Sequence, residues 1–392
     1  MGVFGQWMWA AAVRKHGAEK VFDHCALVGV TDVFFLVKGL EGTAAFRKCD
    51  KAVSFADPSR DLLSEALDAA HDRGIRLHAW LTSASDALYK SAHPTSGLFH
   101  LRDGRNRDIV SITDAGYTAY MSDVVFDLCG NYDIDGLHLD YIRYNHLLYG
   151  WSDGDMACYE AAGADAALLR GWVEKTFYEQ DCSDFIFNKY REGEPNARIL
   201  AKARRGNVAR FARTLLGAAK ARKPNLTLSA ALMPEGAYDD TAFSSLHYGQ
   251  SYDDARALYD MVLPMAYSLA YKKNSDWVRQ VACQTAAKGL KTIVGIHAFE
   301  DATTETLAAD IAAAKDAAAD GICLFRNGRH VYAIAEETKT RLINATDMQI
   351  TRVEIGERAE NVMIAPMGDV LLDGGGTVRA FWETGEIAAL TV

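Results

Sequence analysis

Asp140 closes the run Gly136-Leu137-His138-Leu139-Asp140, and a carboxylate at the end of an apolar stretch needs a partner or a task, because burying an unpaired charge is costly. In an extended chain His138 and Asp140 share one face, and Leu137 and Leu139 the other. Leucines belong beneath covering helices, so the aspartate is expected to point inward. A second carboxyl, Glu235, stands in Met233-Pro234-Glu235-Gly236, just past another apolar run. Two carboxyl groups flanking one bond, one protonated to help the leaving group and one ionised as nucleophile or base, are what glycoside hydrolysis requires. Glu300 competes with Glu235 for the second role, with Asp301 and Asp103 behind it. The plainer alternatives are a structural ion pair of Asp140 with Arg143 or Arg326, and a solvated loop position for Glu235. Whether such a pair would retain or invert the anomeric centre depends on its separation, about 5–5.5 Å or about 6.5–9.5 Å.

Other residues near strand ends could line a sugar site: Lys38, His78, Trp80, His138, Arg143, Tyr267, His297 and Arg326. The three cations among them suggest an acidic or heavily hydroxylated sugar. Aromatic residues crowd the same segments, namely Trp80, Tyr89, Tyr141, Tyr144, Trp151, Tyr238, Tyr248, Tyr267 and Tyr271, and aromatic rings pack on the apolar faces of sugars. About half of them are expected to be core or loop anchors instead. His78, His138 and His297 could also converge as metal ligands, the basis of a rival reading as a metal-dependent hydrolase or deacetylase, although no His-Glu-x-x-His motif supports it. The run Lys202-Ala203-Arg204-Arg205 is expected to face solvent or to bind the segment before it.

These residues must be positioned by regular elements. Eight short apolar runs, at 5–10, 32–37, 76–81, 136–141, 226–232, 261–267, 292–298 and 321–326, read as strands. Between them the spacing predicts helices at 59–72, 114–129, 206–222, 276–288 and 304–319, most ending at glycine or before proline. Alternation through eight strands predicts an α/β fold, a (β/α)8 TIM barrel over residues 1–340, whose catalytic residues stand at the carboxyl ends of strands. Two connections, 82–113 and 145–225, exceed the usual loop length and begin at that end. Residues 341–392 alternate like strands around Gly374-Gly375-Gly376 and are expected to form a small β-rich C-terminal appendage.

The chain has 392 residues, 49% hydrophobic and 24% charged, a globular composition. Its net charge of −10 repels phosphate backbones, so nucleic acid is not an expected partner. The seven cysteines include no Cys-x-x-Cys pair, which speaks against a disulfide framework or a zinc knuckle. No run has the roughly 18 apolar residues of a membrane span, and residues 1–12 lack a basic n-region. A cytoplasmic location is expected, or secretion if a signal was removed. Oligomeric state is left open, and the expected chemistry needs no cofactor.

The stretch Asn131-Tyr-Asp-Ile-Asp135-Gly-Leu-His-Leu-Asp140-Tyr-Ile-Arg-Tyr resembles the DGIHxDxxxYP signature of the glycosyl-hydrolase-like family known as family 10 glycosylhydrolases. Further pieces are similar to that family in order: Asp32-Val-Phe-Phe-Leu-Val-Lys38, Leu77-His-Ala-Trp-Leu81, the stretch 203–208 followed by Lys223-Pro224, and Val262-Leu-Pro-Met-Ala-Tyr267. The resemblance implies a (β/α)8 enzyme acting on polysaccharide or peptidoglycan-like glycans, with Asp140 as its catalytic carboxylate. This chain departs from the pattern in having Leu139 where many relatives carry a second aspartate and Asn145 where a proline is usual. Ile142 stands at the position of the acid in the similar chitinase motif, which makes chitinase-type substrate-assisted hydrolysis improbable. These departures keep a second reading open, a catalytically inactive carbohydrate-binding barrel.

Overall fold

The structure is a computed structural model that describes residues 2–391 except 52–53, 239, 300–301, 327–328, 347 and 384, and leaves out the side chains of 105–108, 329–330, 387 and 391. Eight parallel strands close into a barrel: β1 Val3–Trp9, β2 Asp32–Lys38, β3 Arg76–Thr82, β4 Gly136–Asp140, β5 Thr227–Leu232, β6 Met261–Ala266, β7 Ile293–His297 and β8 Gly321–Phe325. Each strand pairs with its neighbours in sequence, and β8 returns to β1 through Gly5↔Cys323. All eight strands expected from the apolar runs are present.

The two-residue period sorts the side chains. Val33, Phe35, Leu77, Ala79, Leu137, Leu139, Val294 and Ile296 pack outward under the helices. Val3, Trp7, Phe34, Trp80, Ala231, Met261, Leu263, Ile293 and Cys323 fill the interior. Filling it with rings of this size requires glycine opposite them. A Cβ on Gly295 would lie 2.9 Å from the Trp7 ring, and one on Gly136 would lie 2.0 Å from His78 Nδ1.

Helices Leu62–His71, Ala115–Asn131 and Ser275–Ala287 start on Asp61, Asp114 and Asn274, whose side chains accept the N–H three residues on. Such caps stabilise a helix by about 1 kcal/mol each. Two helices the spacing did not mark, Ala10–His16 and Ala18–Leu27, follow β1 and are separated by Gly17 at φ +84°.

The long connection after β3 carries a short helix, Ala87–Ala92, and the hairpin Gly97–His100 with Gly104–Val110. The connection after β4 is more helical than expected. It holds helices Asp153–Ala161, Ala166–Tyr178 and Phe185–Arg191 and then Pro195–Arg222, a helix of 28 residues that begins well before 206. Pro195 fits its first turn, where no N–H is needed, and Glu194 caps it. This insertion has its own core around Leu147, Trp151, Tyr159, Leu169 and Leu200. Fully buried Arg204 pins it to the barrel loops, donating to the carbonyls of His146, Tyr149 and His247. Arg205 pairs with Asp254 at 2.9 Å.

Antiparallel strands begin at Arg329, ahead of the break that the sequence places near 340. They form one three-stranded and one four-stranded sheet around Leu342, Ile350, Val353, Leu372 and Val378. No helix follows β8 among the described residues. The appendage takes that place: Val331, Tyr332 and Leu390 face Phe4 and Leu324, the outward side chains of β1 and β8, and Gln6 Nε2 donates to the Tyr332 hydroxyl at 2.8 Å. Among the described residues no helix is long and apolar enough to cross a membrane.

Candidate functional site

At the carboxyl ends of the strands lies a cavity of about 470 Å3. Trp7, Trp9, Trp80, Tyr141, Tyr267, Tyr271 and Phe325 give it aromatic walls, and its charged lining residues are Asp140, Arg143 and Glu41. Asp140 stands at the last position of β4, facing inward as the alternation with Leu137 and Leu139 predicts. Its side chain is held from two sides. Trp80 Nε1, reaching across from β3, donates to Oδ2 at 3.1 Å, and the Tyr141 N–H donates to Oδ1 at 2.7 Å. That second bond comes with Tyr141 in the left-handed region at φ +51°, where a residue with a Cβ pays about 1–3 kcal/mol. Burial pushes the Asp140 carboxyl above its ordinary range, opposed by the charge of Arg143 and by these two N–H groups.

Glu235 lies on a short 3-10 turn, Pro234–Ala237, after β5. It does not line the cavity directly. The Tyr271 hydroxyl, which does, donates to its two oxygens at 3.2 and 3.3 Å. Burial raises the Glu235 carboxyl too, against its own backbone N–H, the Tyr271 hydroxyl and Arg143. One guanidinium therefore acts on both carboxyl groups.

Of the remaining expected site residues, Trp80, Arg143 and Tyr267 line the cavity. Lys38 does not. Its side chain is 1% exposed and its Nζ lies 2.7 Å from Asp86 Oδ2, so its charge is spent inside the protein. His78 sits lower in the barrel, with Nε2 2.9 Å from Asp32 Oδ1 and its ring stacked on Phe34. His138 is fully buried between Trp7, whose Nε1 donates to its Nε2 at 3.1 Å, and Ser229, 2.9 Å from its Nδ1. An indole N–H can only donate, so Nε2 is the acceptor and Nδ1 carries the proton. Burial and the neighbouring His78 hold His138 well below the ordinary histidine range. His297 Nε2 bonds the Phe299 carbonyl at 2.9 Å, and the Arg326 guanidinium stacks on the Trp9 ring at 3.7 Å.

The three histidines are thus engaged separately, and among the described residues no group of three His, Cys, Asp or Glu is arranged to hold a metal ion. Glu300 and Asp301 lie outside the described residues. Asp103 is exposed and pairs with His100.

Trp7, Trp9, Glu41, Met265 and Phe325 line the cavity without having been expected there. For four of them a signal existed. Trp7 and Trp9 share a face of β1, Phe325 ends β8, and Met265 lies two residues before Tyr267, so strict alternation places all four inside. Glu41 stands in a loop, where alternation says nothing.

A model of the family Glycosyl hydrolase-like 10 matches residues 42–299, about two thirds of the chain. An S-layer-related protein of Niallia circulans is 25% identical over 304 residues, 66% of this chain but 18% of that protein's length. Among solved structures, the PgaB (BpsB) glycoside hydrolase domain of Bordetella bronchiseptica superposes with a TM-score of 0.66 at 14% identity, covering 83% of this chain and 94% of that one. The catalytic domain of a β-amylase from Paenibacillus polymyxa gives 0.60 at 10% identity, covering 83% and 92%. A β-galactosidase from Marinomonas ef1 gives 0.58 at 14%, covering 83% and 54%. At these identities the structural likeness shows the barrel fold.

Proposed function

Because this chain belongs to the Glycosyl hydrolase-like 10 family, we propose that it is a glycoside hydrolase cleaving an O-glycosidic bond within an oligo- or polysaccharide, with Asp140 as nucleophile or base and Glu235 as acid. The observation that carries the reading is Asp140 itself: a buried carboxylate at a strand's carboxyl end, oriented by two N–H donors and facing an aromatic cavity.

Burial raises both carboxyls, so burial alone does not divide the roles. Their partners do. The N–H groups of Trp80 and Tyr141 can only donate, and they favour Asp140 as an anion. The Tyr271 hydroxyl can donate or accept, so Glu235 keeps a bond when protonated and can serve as the acid. In the proposed reaction Asp140 either attacks the anomeric carbon, forming a glycosyl ester that water then cleaves, or takes a proton from the water that attacks that carbon, while the Glu235 proton is relayed through the Tyr271 hydroxyl to the departing oxygen. Tyr267 and Trp80 pack on the sugar rings. The chemistry needs no cofactor.

The test is a screen of oligosaccharides and dinitrophenyl glycosides with wild type and Glu235→Gln. Wild type is expected to cleave in both sets. The variant should lose about 10²-fold or more on sugar leaving groups and much less on dinitrophenolate, which departs without a proton. Equal losses on both would remove Glu235 from the acid role, and glycan binding without any turnover by wild type would favour a carbohydrate-binding barrel.

A further inference from the structure

Glu41 has a fixed backbone and an uncommitted side chain. It follows β2, in the loop that crosses to the edge of the cavity. The Glu41 carbonyl accepts from the Leu88 N–H at 3.0 Å, the Leu40 carbonyl accepts from the Ala87 N–H at 3.3 Å, and the Gly42 N–H closes a turn onto Gly39 at 2.9 Å. Beneath this turn is the buried pair Lys38–Asp86. Asp86 also accepts the Tyr89 N–H at 2.8 Å, and Thr82 Oγ1 donates to the Lys38 carbonyl at 3.1 Å. Gly42, at φ +92°, lies so close that a Cβ there would be 2.0 Å from Asp86 Oδ1. The ion pair therefore welds the loop after β2 to the loop after β3. By contrast, the Glu41 carboxylate is exposed and makes no hydrogen bond or ion pair among the described residues.

Trp9 is the natural companion of Glu41. It ends β1 in register with Leu36 of β2, lines the same cavity and keeps 41% of its surface open, while the Arg326 guanidinium stacks on its ring. Leu40, between Gly39 and Glu41, is 48% exposed in the same lining. A half-open indole, an apolar side chain and a free carboxylate in one cavity lining match the two surfaces of a pyranose, its C–H face and its hydroxyl edge.

We infer that Trp9 and Glu41 form an outer sugar subsite at the rim of the cavity, which binds a neutral pyranose unit of an oligosaccharide: the ring rests on Trp9 and adjacent hydroxyls donate to Glu41. This rests on the proposed glycosidase reading and narrows its substrate class. A neutral sugar is favoured, because Lys38 is paired with Asp86 and within the lining Arg143 stands against the carboxyls of Glu41 and Asp140, while the Arg326 guanidinium is engaged on the Trp9 ring. Of the acidic or heavily hydroxylated sugar expected from Lys38, Arg143 and Arg326, the subsite takes the second.

The experiment uses Asp140→Asn, expected to hold glycans without turning them over, on an array of neutral and uronate-containing oligosaccharides of graded length. Binding is expected to neutral chains and to strengthen as they lengthen. Glu41→Gln or Trp9→Ala, each in that background, should weaken it about tenfold, which is about 1.4 kcal/mol, with unchanged melting temperature. If both double variants bind neutral chains as well as the parent, the subsite is wrong and the proposed function stands. Selective capture of uronates overturns the assignment to neutral sugars. Absence of binding by the parent to every glycan overturns the subsite and the function together.

Discussion

Asp32 and Asp140 are both inward-facing aspartates on barrel strands, and their surroundings drive them in opposite directions. Asp32 begins β2 at the amino end of the barrel. His78 and Arg76 lie 2.9 Å from its two oxygens and Thr31 at 2.7 Å, so that although burial opposes ionisation, these partners bring its carboxyl down to about 2. Asp140 ends β4 at the opposite end. Burial dominates there, and Arg143 and two N–H donors only partly offset it. One carboxylate is saturated by protein and the other faces a cavity. Under the proposed function the reactive group is distinguished not by residue type or burial but by unspent hydrogen-bonding capacity facing open space.

That contrast can be broken at either aspartate. Asp140→Asn should remain folded and lose about 10³-fold or more in kcat, because it removes the proposed nucleophile or base while the shape is kept. A loss under tenfold would place the chemistry elsewhere. Asp32→Asn should do the reverse. Breaking a buried pair costs about 3 kcal/mol of stability, read in chemical denaturation, while kcat of the folded fraction stays near wild type.

The pH dependence separates the two sites further. The Asp32 carboxyl, lowered from its ordinary value to about 2, contributes stability that is present above its unfolded pKa and is lost as pH falls toward 2. Asp32→Asn should flatten that acid limb. The proposed activity should have another profile, rising as Asp140 ionises and falling as Glu235 loses its proton, with both limbs expected above ordinary carboxylate values because both groups are raised. The smallest expected effect sharpens the comparison. Trp80→Phe removes one donor from Asp140 and should move the acid limb of kcat upward by up to about one pH unit. An unmoved limb would mean that this bond does not hold the anion.

Much of this was legible before any coordinates. The eight strands follow from apolar runs, and the inward turn of Asp140 follows from the leucines on either side of His138. The histidines were harder to place. His78 and His138 lie on the face of Asp140 but one or two steps lower, where Asp32, Trp7 and Ser229 take their nitrogens. Position along a barrel strand, as much as face, decides whether a side chain meets the cavity. Lys38 shows the same limit, since its partner Asp86 is 48 residues away and nothing in the spacing links them. The helices between 153 and 191 follow no barrel pattern because their apolar faces pack on one another, on the start of helix Pro195–Arg222 and on neighbouring loops, in a cluster separate from the barrel's own.

The central claim is that the open aspartate performs the chemistry and the saturated one only holds the barrel. Mass-spectrometric product release from one oligosaccharide panel, measured for wild type, Asp140→Asn and Asp32→Asn at a temperature where all three are folded, tests it most directly. The expected result is turnover by wild type and Asp32→Asn, with none detectable for Asp140→Asn. Wild-type rates from Asp140→Asn would contradict it.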